Sequence, residues 1–325
     1  MERRGGVPSA SQLELLVMMM QKKVLVSSLM VAALMVASAC SPAAPKTASV
    51  ERPVPVASSV KAAPAEAGDP YLFADMDAKV SEILDDGTEY AVYLAYPQKS
   101  SSPYIYHSQS MRSASMIKVF ILAAVMEKAN NGELSIDEGI VLKSSDKVGG
   151  AGILAGYASG TELSLREIMR LMITESDNTA TNMVIDRIGM SAINDYIARN
   201  GYSDTILQRK MMDFDAVNAG RENYSSVRDL GTIFLELYQH SCVSWDYDEI
   251  MLDFLKGQTD TDCFPAALPG KVIAHKTGAL VGLYDDGGII YNEGNDTILV
   301  IMTENYSGEY TTIEHMKAFA RAVVD

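Results

Sequence analysis

Three short polar clusters interrupt apolar stretches of this 325-residue chain, and their residue types suit nucleophilic chemistry. The first is Ser115 followed three residues later by Lys118, in "MRSASMIKVF". On a helix, positions i and i+3 share a face, which brings the hydroxyl and the amine within reach of each other. A serine attacks a carbonyl only when a base takes its proton, and a lysine is such a base only when its pKa is lowered. Burial disfavours the ammonium form, and so does a neighbouring cation. The run from Met116 onward is apolar around most of its circumference, so this lysine is placed to be dehydrated. The spacing alone is not specific. Ser58 with Lys61 and Ser144 with Lys147 repeat it in polar surroundings, with no buried helix beside them.

Two further clusters change its meaning. Ser176-Asp177-Asn178 falls inside an apolar helical pattern, between "LMIT" and "TATNMVI". Lys276-Thr277-Gly278 sits in a β-rich run with apolar neighbours. A turn between helices accounts for the first, and a charge on an edge strand for the second. Their occurrence in one order, about sixty and then about a hundred residues apart, points beyond those bland readings.

Over roughly Pro70 to Asp325 the chain resembles the serine β-lactamase and penicillin-binding-protein superfamily, nearest to class A β-lactamases and class A-like serine hydrolases. The resemblance implies an acyl-enzyme on Ser115, with Lys118 taking or relaying its proton. Ser176 would shuttle a proton to the leaving nitrogen, and Lys276 would keep the local potential positive. Asn178 would bind the substrate's side-chain amide, while Lys276 and Thr277 receive its carboxylate. Gly278 would leave room for substrate against the strand. The backbone N–H groups of Ser115 and Ala279 would form the oxyanion hole, and Asp177 would brace a loop.

The pattern departs from class A in two places. Those enzymes carry a water-activating Glu, followed four residues later by Asn, on a loop after the second motif. The stretch "LQRKMMDFDAVNAGRENYSS" has no such pair, and Phe214 stands four residues before Asn218. Asp213 is the substitute base expected among Asp213, Asp215 and Glu222, with capping or loop solvation expected of Glu222. After Lys276-Thr277-Gly278, where class A places an arginine toward the substrate carboxylate, "YDDGGIIY" offers only Asp and Gly. Three readings follow. The first is a β-lactamase (a serine hydrolase opening the β-lactam amide). The second is a penicillin-binding or DD-peptidase-like enzyme with slow deacylation. The third is a lipid-anchored binding module with a vestigial site.

The elements that must position these residues read as an α+β arrangement, the β-lactamase/transpeptidase-like one. "TEYAVYLAY" and "SPYIYHS" are a strand and its hairpin partner, and "KVIAHKTGAL", "GGIIYN" and "DTILVIMT" are strands near the other end. Both chain ends thus supply one antiparallel sheet, and the middle supplies a mostly helical lobe beside it. Helix starts are legible at Ser164 with Glu167, at Ser226 with Asp229, and at Thr311 with Glu314; Asn131-Gly132 and Gly257 read as stops.

A net charge of −15 argues against nucleic acid as a partner. The four histidines show no metal-ligand spacing, so neither metal nor other cofactor is expected. His275 lacks the partners of a triad and reads as a strand residue tuning Lys276. Residues 1–40 read as a leader in which Lys22 and Lys23 precede an apolar run ending at Cys40, with the true start at one of Met18 to Met20. The "ASAC" ending resembles a lipobox, which would make Cys40 a lipidated anchor of an exported protein at the outer face of a bacterial cytoplasmic membrane or in the periplasm. Residues 41–69 read as a flexible tether, and 70–325 as one hydrolase domain. A β-lactam or peptidoglycan-derived small substrate and a monomer complete the expectation.

Overall fold

The computed structural model describes residues 71–324; the leader, Cys40, the tether and the Ser58–Lys61 repeat lie outside the described residues. Helix α1 (Met76–Ile83) precedes strand β1 (Glu89–Ala95) and its short partner β2 (Tyr104–Tyr106). After β3 (Met111–Arg112), a 3-10 turn at Ala114–Ile117 runs into α2 (Lys118–Asn130). Next come β4 (Gly139–Val141), β5 (Glu162–Ser164), α3 (Leu165–Thr174), α4 (Asn178–Ile188) and α5 (Met190–Arg199). The short helix α6 (Phe214–Asn218), β6 (Tyr224–Ser225), α7 (Val227–Tyr238), α8 (Trp245–Lys256) and α9 (Phe264–Ala267) follow. Strands β7 (Val272–Leu280), β8 (Leu283–Tyr291) and β9 (Thr297–Glu304) and helix α10 (Glu309–Val323) end the chain.

The main sheet has the order β2-β1-β9-β8-β7, with every pair antiparallel, so the two chain ends meet between β1 and β9. Both faces of the sheet are covered. Along β1, Ala91, Tyr93 and Ala95 join the core shared with the helical lobe, while Tyr90, Val92 and Leu94 join a second core with α1, α9 and α10. Double coverage is why β1 reads as a nearly continuous apolar run rather than an alternation. The strand β7 is left at an edge, beside the lobe that carries Ser115.

Local signals explain most boundaries. Ser164 accepts the Glu167 N–H at 3.1 Å and Ser226 the Asp229 N–H at 3.2 Å, each satisfying an orphan donor of the first turn. Leu230, Ile233, Phe234 and Leu237 form the buried face of α7 as their spacing implies. The last helix departs from expectation: it starts at Glu309 after an extended Gly308, so Thr311 lies inside it rather than capping it. Trp245 opens α8 on the surface, 64% exposed, and stacks on His240 with ring centroids 3.7 Å apart. Cys242 and Cys263 are free thiols, and no disulfide is formed among the described residues.

Candidate active site

Ser115 lies in the 3-10 turn and Lys118 at the first position of α2. Residues i and i+3 eclipse in a 3-10 turn, so the pair meets even more directly than on an α-helix. Ala114, just before Ser115, holds φ of 42°, a left-handed conformation that an alanine rarely adopts and that surrounding structure must enforce. Strand β7 passes close against this turn at Gly278. A Cβ on Gly278 would lie 3.1 Å from Met116 Cγ, 3.2 Å from Ala114 Cβ and 3.3 Å from Ser113 O. The space at Gly278 is therefore taken by the serine-bearing turn, not left for substrate, which corrects the role expected of this glycine.

The side chain of Lys118 is fully buried. Its Nζ lies 3.0 Å from Ser115 Oγ, 3.1 Å from Ser176 Oγ, 2.7 Å from Ser176 O and 3.0 Å from Asn178 Oδ1. Burial pushes its pKa well below the ordinary lysine value, the charge on Lys276 pushes further down, and Asp177 opposes both. A neutral amine fits these neighbours. Its two N–H groups satisfy the carbonyl of Ser176 and the amide oxygen of Asn178, which can only accept, and its one lone pair is left to accept from one hydroxyl at a time, that of Ser115 or that of Ser176. That is the state of a base.

Ser176 and Asp177 form the turn between α3 and α4, so the bland reading of this cluster and its chemical one describe the same place. Ser176 takes φ of 50°, and its Oγ is shared between Lys118 Nζ and Lys276 Nζ, the latter at 3.0 Å. Asp177 caps α4 by accepting from Ala180 N at 2.8 Å. It also accepts from Ile153 N and Leu154 N, both at 2.7 Å, bracing that loop as expected. Asn178 donates to Gly149 O at 3.2 Å, which leaves one Nδ2 proton uncommitted among the described residues.

Lys276 is also fully buried, donating to Ser176 Oγ and, at 2.8 Å, to the carbonyl of Thr277. Burial lowers its pKa to about 8, while the carboxylates of Asp260 and Asp286 resist the fall. The two lysines therefore differ: Lys276, near 8, is mostly protonated at neutral pH, whereas burial and the Lys276 charge together push Lys118 well down. The hairpin after Lys276-Thr277-Gly278 turns at Val281-Gly282 with Leu280 opposite Leu283. Alternation along an antiparallel ladder then points the N–H groups of Ala279 and Thr277 away from β8, toward the free edge. In the 3-10 turn the first bond runs from Met116 N to Ser113 O, so the Ser115 N–H precedes the ladder.

The loop expected to hold a deacylating base is tightly pinned. Asn182, one turn along α4 from Asn178, clamps Met211: Nδ2 donates to its carbonyl at 3.0 Å and Oδ1 accepts its N–H at 2.8 Å. Glu222 pairs with Arg209 at 2.7 Å, both side chains nearly buried, so it ties the loop's two ends rather than capping or solvating it. Asp213 caps α6, accepting the Ala216 N–H at 2.9 Å. No carboxylate is hydrogen bonded to Ser115, Lys118, Ser176 or Lys276 among the described residues. His275 pairs with Asp286 at 2.8 Å, and the other Asp286 oxygen accepts from Phe264 N at 3.0 Å, so the ring faces the second core. The repeat at Ser144 is exposed, and its Lys147 bonds the carbonyl of Tyr157 rather than a serine hydroxyl.

The Met211 clamp, the Met212 conformation and the fields of Asp260 and Asp286 were missed in the sequence. Only the clamp had a signal, since Asn182 follows Asn178 at i+4 on the same helical face.

A sheet of terminal strands beside a helical lobe, with a serine and two buried lysines at their junction, is the β-lactamase/transpeptidase-like fold. A model of the beta-lactamase enzyme family matches residues 75–325, and the chain belongs to that family. It is 24% identical over 243 residues to a beta-lactamase of Proteus vulgaris, covering 72% of this chain and 81% of that protein. It is 25% identical over 218 residues to a beta-lactamase of Phocaeicola vulgatus, covering 63% of this chain and 65% of that one. The beta-lactamase of Sphaerobacter thermophilus DSM 20745 superimposes with a TM-score of 0.70 at 27% identity, over 77% of this chain and 95% of its own. A protein called PBP-A superimposes with a TM-score of 0.71 at 25% identity, over 80% and 97%.

Proposed function

We propose that this protein is a serine hydrolase of the β-lactamase type, which opens the β-lactam amide through an acyl-enzyme on Ser115 and is limited in turnover by deacylation. The observation that carries this reading is the buried Lys118 amine, 3.0 Å from Ser115 Oγ, with its N–H groups already engaged by two obligate acceptors. Neutral Lys118 takes the Ser115 proton as Oγ bonds to the carbonyl carbon. The proton then passes through Ser176 Oγ to the lactam nitrogen as the C–N bond breaks. The N–H groups of Ser115 and Ala279 receive the developing oxyanion, an interaction typically worth about 3 to 4 kcal/mol per donor. The free Nδ2 proton of Asn178 meets the substrate's side-chain amide, while Lys276 and Thr277 meet its carboxylate.

Release needs a water and a base. Asp213 stands nearest in sequence to that role, yet one of its carboxylate oxygens already caps α6. The absence of any carboxylate bonded to the serine–lysine network among the described residues favours a second reading, a penicillin-binding or peptidase-like enzyme that holds its acyl group. A PBP-A variant has been captured as an acyl-enzyme with penicillin G, and this chain is 26% identical to it with a TM-score of 0.70. Labelling with a fluorescent penicillin tests the shared step. Wild type and Ser144→Ala should label, and Ser115→Ala should not; equal labelling of Ser115→Ala would remove Ser115 from the reaction. We also propose export and anchoring by a lipid on Cys40, which rests on the leader's residues alone.

A further inference from the structure

The turn that carries Ser115 packs on glycines of the sheet, and one carboxyl group stands among them. On β8, Ile289 joins the core shared with the helical lobe, while Tyr284 and Ile290 join the second core. The two-residue alternation of a strand therefore turns Asp285 and Gly287 toward the lobe. A Cβ on Gly287 would lie 3.0 Å from Met116 Cε, and one on Gly278 would lie 3.2 Å from Ala114 Cβ and 3.3 Å from Ser113 O. Asp285 is opposite Gly278 in the ladder, and the Cβ positions of such a pair lie about 5 Å apart on one face. The Asp285 side chain is thereby set beside Ser113 and Ala114.

The sheet departs from a regular ladder around it. The β8–β9 pairing runs from Ile290 opposite Thr297 to Asp286 opposite Ile301. Beyond that, Asp285 Oδ1 accepts the Thr303 N–H at 2.9 Å, and Thr303 Oγ1 bonds the N–H and the carbonyl of Tyr284 at 2.9 and 2.7 Å. Asp285 and Ser113 are both fully buried, and Asp285 Oδ2 and Ser113 Oγ have no partner among the described residues. Buried polar groups are otherwise paired, with protein or with ordered water. Burial pushes the Asp285 carboxyl well above the usual carboxylate range, and the charges of Glu304 and Asp286 push the same way against the Thr303 N–H and Arg112. Arg112 is already engaged, donating to Glu304 at 2.8 Å.

We propose that Asp285 is a positioning residue for the nucleophile, joined to the Ser113 hydroxyl through one ordered water that ties the Ser115 turn to the sheet. It works as an uncharged acid, with Oδ1 accepting from Thr303 and the proton on Oδ2 donated to the link. Its effect reaches Ser115 through Ala114, the left-handed residue between Ser113 and the nucleophile. The inference rests on the acyl-serine reading above.

The test is the first-order rate of Ser115 acylation at saturating benzylpenicillin, read by intact mass after rapid quenching, which does not depend on the fraction of protein folded. Asp285→Ala and Ser113→Ala should each acylate at least about tenfold more slowly with half-saturation changed by less than about threefold, because a misplaced nucleophile costs rate rather than binding. The double variant should be no slower than the slower single variant, since both remove one link. Asp285→Asn is uncharged, keeps the shape and keeps a donor, so it should stay within about threefold of wild type. The infrared difference between wild type and Asp285→Asn at neutral pH should show the band of a protonated carboxyl. Effects that multiply in the double variant, a loss in Asp285→Asn equal to that in Asp285→Ala, or a missing carboxyl band would overturn the role of Asp285 and leave the acyl-serine reading intact. Asp285→Asn and the band decide the matter if Asp285→Ala fails to fold. No adduct in wild type overturns both.

Discussion

The Nζ of Lys276 donates to Ser176 Oγ at 3.0 Å, joining an edge strand to a turn between helices a hundred residues earlier in the chain. The same hydroxyl lies 3.1 Å from Lys118, so one serine bridges the two buried lysines.

This arrangement sets a pH dependence. With the Lys276 pKa near 8, acylation should fall as pH rises through about 8, because the ammonium beside Ser176 is lost. Lys276→Arg should be slower overall, since the two cations are not interchangeable in a buried site, yet its rate should stay level across that range. Stability moves the other way. Between about 8 and the usual lysine value of 10.5 the unfolded chain binds more protons than the folded one, so this group makes the fold more stable as pH rises. A stopped-flow pH profile of acylation for both proteins, beside urea melts across the same range, checks both signs. A basic limb that persists in Lys276→Arg would assign it elsewhere.

Gly278→Ala places a methyl group against Met116, Ala114 and Ser113 O at 3.1 to 3.3 Å. The turn has to shift by a few tenths of an ångström, at a cost of about 1 to 3 kcal/mol in a close-packed site. Because that turn carries Ser115, acylation should slow by at least about tenfold, as expected when a reacting group is misplaced. Full activity in Gly278→Ala would mean that the contact does not position the nucleophile.

Asp177→Ala strands three backbone N–H groups, those of Ile153, Leu154 and Ala180. Each unpaired buried donor costs about 1 to 3 kcal/mol, so several kcal/mol of stability should be lost in thermal or urea unfolding. A loss under about 1 kcal/mol would show that the loop finds other acceptors.

The parts of this protein that were legible in the sequence are those set by local chemistry. Ser115 and Lys118 could be paired because spacing and an apolar run dictate both proximity and dehydration. The sheet drawn from both chain ends followed from β-rich runs such as that around Tyr93, and the family neighbours share this fold. What stayed hidden depends on backbone brought together from afar. The role of Gly278 is set by Met116 and Ala114, far away in sequence, and nothing near the glycine encodes them. Glu222 looked like a solvated loop residue because Arg209, its buried partner, is fixed only when the loop closes. Met212 gave no signal, since its conformation is imposed by Asn182 on another element.

On the proposal that Cys40 carries a lipid, Cys40→Ser should abolish incorporation of a fatty-acid probe and either release the protein from the membrane fraction or leave it unprocessed. The leader's "ASAC" ending motivates this expectation. An unlabelled wild type would end the lipoprotein reading.

The central claim is that Ser115 is acylated readily and freed slowly. Asn caps a helix as well as Asp does, so Asp213→Asn keeps the bond to Ala216 N and removes only the charge. Intact mass read over seconds to minutes after mixing with benzylpenicillin tests the claim most directly. The expected result is a wild-type adduct of one penicillin that accumulates, is absent from Ser115→Ala, and persists about 10²-fold or more longer in Asp213→Asn if that carboxylate is the base. An adduct unchanged in Asp213→Asn would clear Asp213 and favour the penicillin-binding reading. Rapid hydrolysis of benzylpenicillin with no adduct at any time would contradict the claim.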